Sequence, residues 1–362
     1  MSISAVRRAI SLALPAVLLT SSLYAQHYQR TDLTANSSAV SATAVVDPNL
    51  VNAWGLARGT GSPWWISDNG TGLTTLYNSA GQPQPLVVKI PTIDGNGTSA
   101  PTGAVFNATP GFAVSGSKAL FLFSTEDGTI AAWNPALGTT ASLVVKRPGQ
   151  AVYKGIAIAQ PPNSGPRLYA TNFQSGRVEV FNSNFGPVSL ADGAFTLPGL
   201  GAVYAPFGIQ NVGGNLVVTF AHRKVGSLDE DHGPGLGYVG VFAPNGTLLS
   251  RLQHGAWFNA PWGIALAPGD FGAFTHRLLI GNFGDGTINA FNLFTGKREG
   301  TLLDSTGAPL TIDGLWALSF GGDSTNNGGA TTLFFTAGPN DEQDGLYGQL
   351  TPAATEQPGN SQ

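Results

Sequence analysis

One pattern recurs along this chain at intervals of about fifty residues, and it constrains the fold more than any other feature. A short segment ending in glycine leads into an apolar strand at Gly55, Gly103, Gly155, Gly208, Gly263 and Gly314, with spacings of 48, 52, 53, 55 and 51 residues. After a loop come a second apolar strand, a polar turn with Gly, and a third strand ending in an aromatic. Four copies are clear: WWISDNGTGLTTLYN (64–78), LFLFSTEDGTIAAWN (120–134), LYATNFQSGRVEVFN (168–182) and LLIGNFGDGTINAFN (278–292). Two are looser: LVVTFAHR with GYVGVFA (216–243), and LFFTAGPN with GLYGQL (333–350). A fourth strand precedes each new copy, at PLVVKI (85–90), SLVVKR (142–147), AFTLPGL (194–200), LLSRLQ (248–253) and REGTLLD (298–304).

Four short strands per unit of about 50 residues is the pattern of a propeller blade, whose faces are buried only by neighbouring blades. Six copies predict an all-β, six-bladed propeller over residues 26–350. The sixth copy has three strands and then a polar tail, residues 351–362, whereas HYQRTDLTA (27–35) stands alone before the first copy. The lone segment is therefore expected to supply the outer strand of the sixth blade, closing the ring and removing an exposed edge. The recurring Gly suits either a positive φ or a close backbone approach. Pro101, Pro206 and Pro261 suit the turn before it. Trp54, Phe207, Trp262 and Trp316 flank the same Gly and are expected to pack between blades, with stacking on a ligand at the channel mouth as the other use.

Composition removes several function classes. The net charge is −4 and only 10% of residues are charged, against about 25% in an average soluble domain. No basic excess supports nucleic-acid binding. There is no Cys, which excludes thiol catalysis, Cys-ligated metals and disulfides. Neither a phosphate-binding G-x-x-x-x-G-K-[ST] loop nor an H-E-x-x-H zinc motif occurs. Arg7 and Arg8 followed by an apolar run to Leu19 read as a secretory signal peptide over residues 1–25. This predicts a secreted or periplasmic chain with no later membrane-spanning segment.

The P-x-G-[IV] segment and the hairpin T-N-F-x-x-G-x-[IV]-x-[VA]-F-N resemble the NHL and SMP-30-like six-bladed propellers. The mature chain from about residue 28 to 350 also resembles a family of uncharacterised exported bacterial proteins, some of which carry a PEP-CTERM sorting domain. Its residues include TDLTAN (31–36), DPNLVNAWGLA (47–57), APFGIQ (205–210), GPGLGYVGVF (233–242) and IGNFGDGTINAFN (280–292). The tail here lacks the sorting anchor. The resemblance implies fold and export and brings no established activity.

In a propeller, ligands meet the loops at one channel mouth. Residues at the ends of the second strands form a set of oxygen donors with one imidazole. Hard cations such as calcium take such oxygens, and lactonase-like propellers hold one in the channel. That resemblance makes Asp68, Glu126, Asn172 and Asn282 candidate metal ligands, with the ion polarising a substrate carbonyl. The same residue types are also what hairpin turns need. The repeat breaks in the fourth copy, where AHRKVGSLDEDHGPGLGY (221–238) replaces a turn of about five residues. Long loops in compact domains are often functional, although a solvated flap would look similar. Its His222, Asp231 and His232 are candidate acid–base groups. Arg223, Lys224, Asp229 and Glu230 are candidate ligand-loop residues, joined by Asn340 and Asp344 from a smaller acidic loop in the sixth copy. The expected function is binding of a small molecule, glycan or envelope protein at one mouth. The alternatives are a calcium-dependent, lactonase-like hydrolase and a reader of cell-envelope carbohydrate.

Overall fold

The computed structural model describes residues 27–353, and the expected signal peptide lies outside them. Six sheets form a ring. Blade 1 comprises Ala53–Ala57, Trp64–Asp68, Leu73–Tyr77 and Val88–Lys89. Blade 2 comprises Pro101–Phe106, Phe121–Thr125, Thr129–Trp133 and Ser142–Lys146. Blade 3 has three strands, Tyr153–Ala159, Arg167–Asn172 and Arg177–Phe181. Blade 4 comprises Tyr204–Val212, Asn215–His222, Gly237–Phe242 and Leu248–Arg251. Blade 5 comprises Pro261–Leu266, Leu278–Asn282, Ile288–Phe291 and Arg298–Thr301. Blade 6 combines Leu315–Phe320, Leu333–Ala337 and Leu346–Pro352 with Tyr28–Ala35. That last strand runs antiparallel to Leu346–Pro352, from Tyr28 opposite Pro352 to Ala35 opposite Leu346. The ring therefore closes as the sequence predicts.

Two expectations are corrected. The segment at 194–200 is not the fourth strand of blade 3. Phe195 has φ 56°, its amide bonds Gly246 O, and Phe195 and Leu197 pack into the cluster with Phe220 and Phe242 of blade 4. These apolar residues fill the wedge between blades 3 and 4 instead of extending a ladder. In blade 6, Gly314 is a turn residue with φ 62°, and the position equivalent to the other repeat glycines is held by Ala317.

The repeat glycines serve close approach. A Cβ on Gly55, Gly155, Gly208 or Gly263 would come closer than 3.0 Å to a main-chain oxygen of the next inner strand, on Thr102, Phe207, Trp262 and Trp316 respectively. Threonine hydroxyls bind the same seams: Thr102 Oγ1 donates to Tyr153 O at 2.7 Å and Thr171 Oγ1 to Phe207 O at 2.6 Å. Apolar clusters fill the wedges between blades, such as Trp64, Ile66 and Tyr77 of blade 1 against Phe334 and Tyr347 of blade 6.

In all six blades the ladder between the first two strands shifts register near its start, within the steps Ala53–Leu56, Pro101–Ala104, Tyr153–Gly155, Pro206–Ile209, Pro261–Gly263 and Leu315–Leu318. Such a bulge leaves a residue unpaired and re-aims its side chain. The residues at these shifts, just before the glycine or its equivalent, are Trp54, Thr102, Lys154, Phe207, Trp262 and Trp316.

Candidate functional site at one mouth of the central channel

Aromatics plug the channel. Trp54 stacks on Trp316 with centroids 3.6 Å apart, Phe283 stacks on Trp316 at 4.0 Å, and Trp262 meets both tryptophans edge-on. The stacked contacts join neighbouring blades, as the sequence predicts, and the Trp54–Trp262 contact between blades 1 and 5 extends the packing across the axis. One step further along the inner strands, Leu56, Ile156, Ile209, Ile264 and Leu318 line a void of about 30 Å³, about enough for a single water.

Lys154 is the one charged residue among the six bulge positions, and it is only 2% exposed. Burial of an ammonium must be offset by counter-charge. Nζ donates to Glu126 Oε1 at 2.6 Å and lies 3.6 Å from Asp229 and 3.7 Å from Glu230. It also stands 5.1 Å from the centre of Trp54 and 5.8 Å from that of Phe173. Burial pulls the Lys154 pKa down, but the attraction of Glu126, Glu230 and Asp229 outweighs it and the net shift is upward. Lys154 is thus a fixed cation rather than a nucleophile or base.

A chain of polar groups runs outward from this ion pair. Asn69 donates to Glu126 Oε2 at 3.0 Å. Asn52 donates both to Asn69 at 3.2 Å and to Glu342 Oε2 at 2.6 Å. Trp316 Nε1 donates to Asn52 Oδ1 at 2.8 Å, tying the chain to the aromatic plug. Asn340, Asp341 and Glu342 are three successive residues with positive φ, at 57°, 50° and 65°. Such backbone is costly for residues with side chains and persists where surrounding structure holds it. The Glu342 carboxyl is raised to about 7, first by burial and then by Glu230, with Lys154 and Asn52 opposing and Glu126 adding to the rise. Burial also raises Glu230, against the pull of Lys154; its Oε2 is buried without a hydrogen-bond partner.

The structure thus brings Glu126, Asp229 and Glu230 together and adds Lys154, Asn52, Asn69 and Glu342. The remaining candidates surround this group. His222 Nδ1 is 3.5 Å from Asp231 Oδ2, and its ring meets Tyr204 edge-on. His232 lies against Phe283. Arg223 lies over Phe173, whereas Lys224 is exposed and its amide closes the loop onto Asp229 O. Asn340 and Asp344 brace the blade 6 loop: Asn340 N donates to Asp313, and Asp344 accepts from Asn36.

Of the four candidate calcium ligands, Asn172 and Asn282 are committed within their own blades. Asp68, Asn172 and Asn282 occupy the same ladder position, opposite Ala53, Tyr153 and Pro261. Glu126 follows Thr125, the residue at that position in blade 2. Asn172 is engaged with Val152 N, Gln150 O, Ser175 N and Glu179. Asn282 is engaged with Asn259 N, Trp257 O, Asp285 and Thr287. Asp68 is fully buried and its carboxyl is raised well above the usual range, chiefly by burial. A calcium ion does not fit this quartet, and among the described residues no group of three or more His, Asp or Glu side chains could hold a metal ion.

Two uncharacterised proteins of Acanthamoeba polyphaga mimivirus resemble this chain along most of its length. One is 32% identical over 326 residues, covering 87% of this chain and 78% of the relative. The other is 31% identical over 321 residues, covering 84% and 81%. This chain belongs to their family. No model of a known protein family matches it. Among solved structures, a soluble aldose sugar dehydrogenase from Escherichia coli aligns over 90% of this chain and 100% of its own, with a TM-score of 0.55 and 14% identity. A gluconolactonase from Xanthomonas campestris aligns over 84% and 86%, with a TM-score of 0.51 and 14% identity. A streptogramin B lyase aligns over 91% and 99%, with a TM-score of 0.53 and 11% identity. At such identities the likeness is one of fold, and the family shares its six-bladed scaffold with enzymes of different chemistry. No helix among the described residues is long and apolar enough to cross a membrane.

Proposed function

We propose that this family member is a binding propeller for a small polar molecule, which meets the charged group over Lys154 at the channel mouth. One observation carries the reading. The only charged bulge residue is buried beneath carboxylates from blades 2 and 4, while the channel behind it is closed by aromatics. Burying charge costs stability unless it is fully compensated, and Glu230 and Glu342 are under-compensated as they stand. A cluster of this kind in a recess is a functional-site candidate on physical grounds. The long blade 4 loop and the strained blade 6 loop form its rim, and the exported location expected from residues 1–25 would place that rim outside the cytoplasm.

A hydrolytic second reading is favoured by Glu342 alone. A carboxyl titrating at about 7 is suited to accept and return a proton near neutral pH, and the likeness of fold to a gluconolactonase is compatible with it. Recognition of a glycan would use the same rim. The test is a thermal-melting screen of sugars, sugar acids, lactones and amines against the wild-type protein and the Glu126→Gln variant. Compounds that raise the wild-type melting temperature and leave the variant unmoved support the mouth as the binding site. Stabilisers that act equally on both proteins place binding elsewhere and refute it. Turnover of a lactone or ester that is lost in Glu342→Gln would establish the hydrolytic reading.

A further inference from the structure

We infer that the open outer edge of blade 3 takes up the C-terminal end of another polypeptide. The bound segment lies antiparallel to Arg177–Phe181 as the missing fourth strand, with its terminal carboxylate among Arg147, Arg177 and Arg223. A cavity of about 490 Å³ lies between Arg177–Phe181 and the 187–196 segment, where the other blades hold that strand. Its backbone groups are open. Val188 N donates to Val180 O, so the main chain of Val180 faces the slot, and by the alternation of an antiparallel ladder so does that of Val178. In blades 1, 2 and 5 the chain that follows the fourth strand gives an amide to the glycine carbonyl of the hairpin turn: Ile90 N to Gly72 O at 2.9 Å, Arg147 N to Gly128 O at 2.8 Å and Ile312 N to Gly286 O at 3.0 Å. Gly176 is the equivalent glycine of blade 3, its amide on Asn172 O as that of Gly286 is on Asn282 O. Among the described residues its carbonyl receives no such bond. An edge of this kind is a template for strand addition.

Direction and charge select the occupant. In the four-stranded blades 1, 2, 4 and 5 the fourth strand runs antiparallel to the third, so a strand added in the same way ends beside Gly176 and Arg177. Positive charge gathers at that end. Arg177 is exposed. Arg223 Nη2 lies 2.7 Å from where a Cβ on Gly176 would sit. Arg147 Nη2 is 3.6 Å from Glu179, and the Nε atoms of Arg147 and Arg223 are buried without hydrogen-bond partners. The carboxylates along the slot are Asp192, on the facing segment, and Glu179. Glu179 is already held by Tyr153 Oη at 2.5 Å and Asn172 Nδ2 at 2.9 Å. A terminal carboxylate is what guanidinium groups bind best. A parallel strand would bring a free ammonium to the same arginines and be repelled. Val178, Val180, Val188 and Leu190 line the slot and belong to one apolar cluster, so the occupant carries apolar side chains at alternate positions. The slot lies at the outer edge of its blade, whereas the small-molecule site lies over the inner strands, so the two readings stand or fall separately.

The experiment uses the full-length protein and two synthetic heptapeptide pools of identical sequence, with Val, Ile, Thr and Ser mixed at the last four positions. One pool has free C-terminal carboxylates and the other is amidated. Immobilised wild type is expected to retain the free-acid pool about ten-fold better than the amidated pool. Arg177→Gln, a change at an exposed side chain, is expected to lose that preference. In wild-type protein the amide protons of Val178 and Val180 are expected to exchange more slowly once the free-acid pool is bound, which reads the edge without any variant and decides the matter should Arg177→Gln not fold. Equal retention of the two pools, retention of neither, or a preference that persists in Arg177→Gln would overturn the inference. Protection confined to amides outside blade 3 would do the same. Val178 and Val180 amides that are already protected in the free protein, and lose protection on dilution, would place a second copy of this chain in the slot and overturn it as well.

Discussion

Replacing Lys154 by methionine should destabilise the propeller severely at slightly alkaline pH and mildly at acid pH. Methionine keeps an unbranched stem of similar length, so packing over Trp54 and Phe173 is largely retained and the loss is electrostatic. The ammonium pairs with Glu126 at 2.6 Å, Glu230 at 3.7 Å and Asp229 at 3.6 Å. Asp229 is 66% exposed at its side chain and water screens it, so its share is small. Glu126 and Glu230 carry the effect. Removing one partner of a buried ion pair costs about 3–5 kcal/mol. The folded-state pKa of Lys154 lies above its ordinary value, so its contribution is complete at every pH below about 10 and is lost only above that. The pH dependence of the loss therefore comes from the carboxylates. At pH 8 the variant holds uncompensated negative charge. At pH 5 Glu230 and Glu342, both raised, take up protons and relieve it. Urea unfolding of both proteins at the two pH values is the assay. A loss of about 3–5 kcal/mol at pH 8 that falls by half or more at pH 5 is expected. A loss equal at both values, or below about 1 kcal/mol at pH 8, would refute the role of Lys154 as counter-ion.

Other consequences are narrower. Glu342 titrates at about 7 against an ordinary value of 4.5. A raised carboxyl contributes most when protonated, so stability should fall between pH 4.5 and 7 by about 3 kcal/mol. Glu342→Gln should remove most of that slope in urea unfolding followed across the range. Gly208→Ala would push a Cβ against Trp262 O across a seam without positive φ. The expected cost is about 1–3 kcal/mol, read as a lower unfolding midpoint, whereas alanine at the open Gly165 should be near neutral. Tyr28→Phe removes a buried bond to Phe271 O, 2.9 Å long, from the strand that closes the ring. A loss of about 1 kcal/mol is expected, and an unchanged midpoint would deny that strand a stabilising part.

The architecture was legible because a blade is a local unit whose periodicity is written in apolar residues and turn glycines. The closing strand at 27–35 followed from counting strands. Blade 3 misled because AFTLPGL has strand-like composition but packs its Phe195 and Leu197 into the wedge between blades 3 and 4 instead of pairing. The site was only half legible. The loop carrying Asp229 and Glu230 stood out by its length and charge, and Glu126 by its place after a strand. Lys154 was hidden in VYKGIAIA, where a lysine before the glycine reads as an ordinary variation. Aligning the residue before each glycine, against Trp54, Thr102, Phe207, Trp262 and Trp316, was the available signal, but the bulge that turns this position to the axis is a ladder irregularity no composition reveals. Asn172 and Asn282 misled for a different reason: an amide that could offer an oxygen to an ion is also what closes a hairpin turn, and here they bond Ser175 N and Asp285 and Thr287. Glu342 escaped notice because left-handed backbone, which sequence does not announce at Asp or Glu, delivers it to Asn52.

The seven tryptophans provide the most direct test of the central claim, that ligand meets the mouth over Lys154. Trp54, Trp262 and Trp316 lie at the axis, and Trp64, Trp65, Trp133 and Trp257 belong to other clusters. Protein carrying 5-fluorotryptophan, assigned by single Trp→Phe replacements, would be titrated with each compound that stabilises it in the melting screen and followed by ¹⁹F NMR. The account predicts that the Trp54 and Trp316 resonances shift in a saturable way while Trp65, Trp133 and Trp257 stay in place. Saturable shifts confined to those outer tryptophans, with Trp54 and Trp316 unmoved, would contradict it.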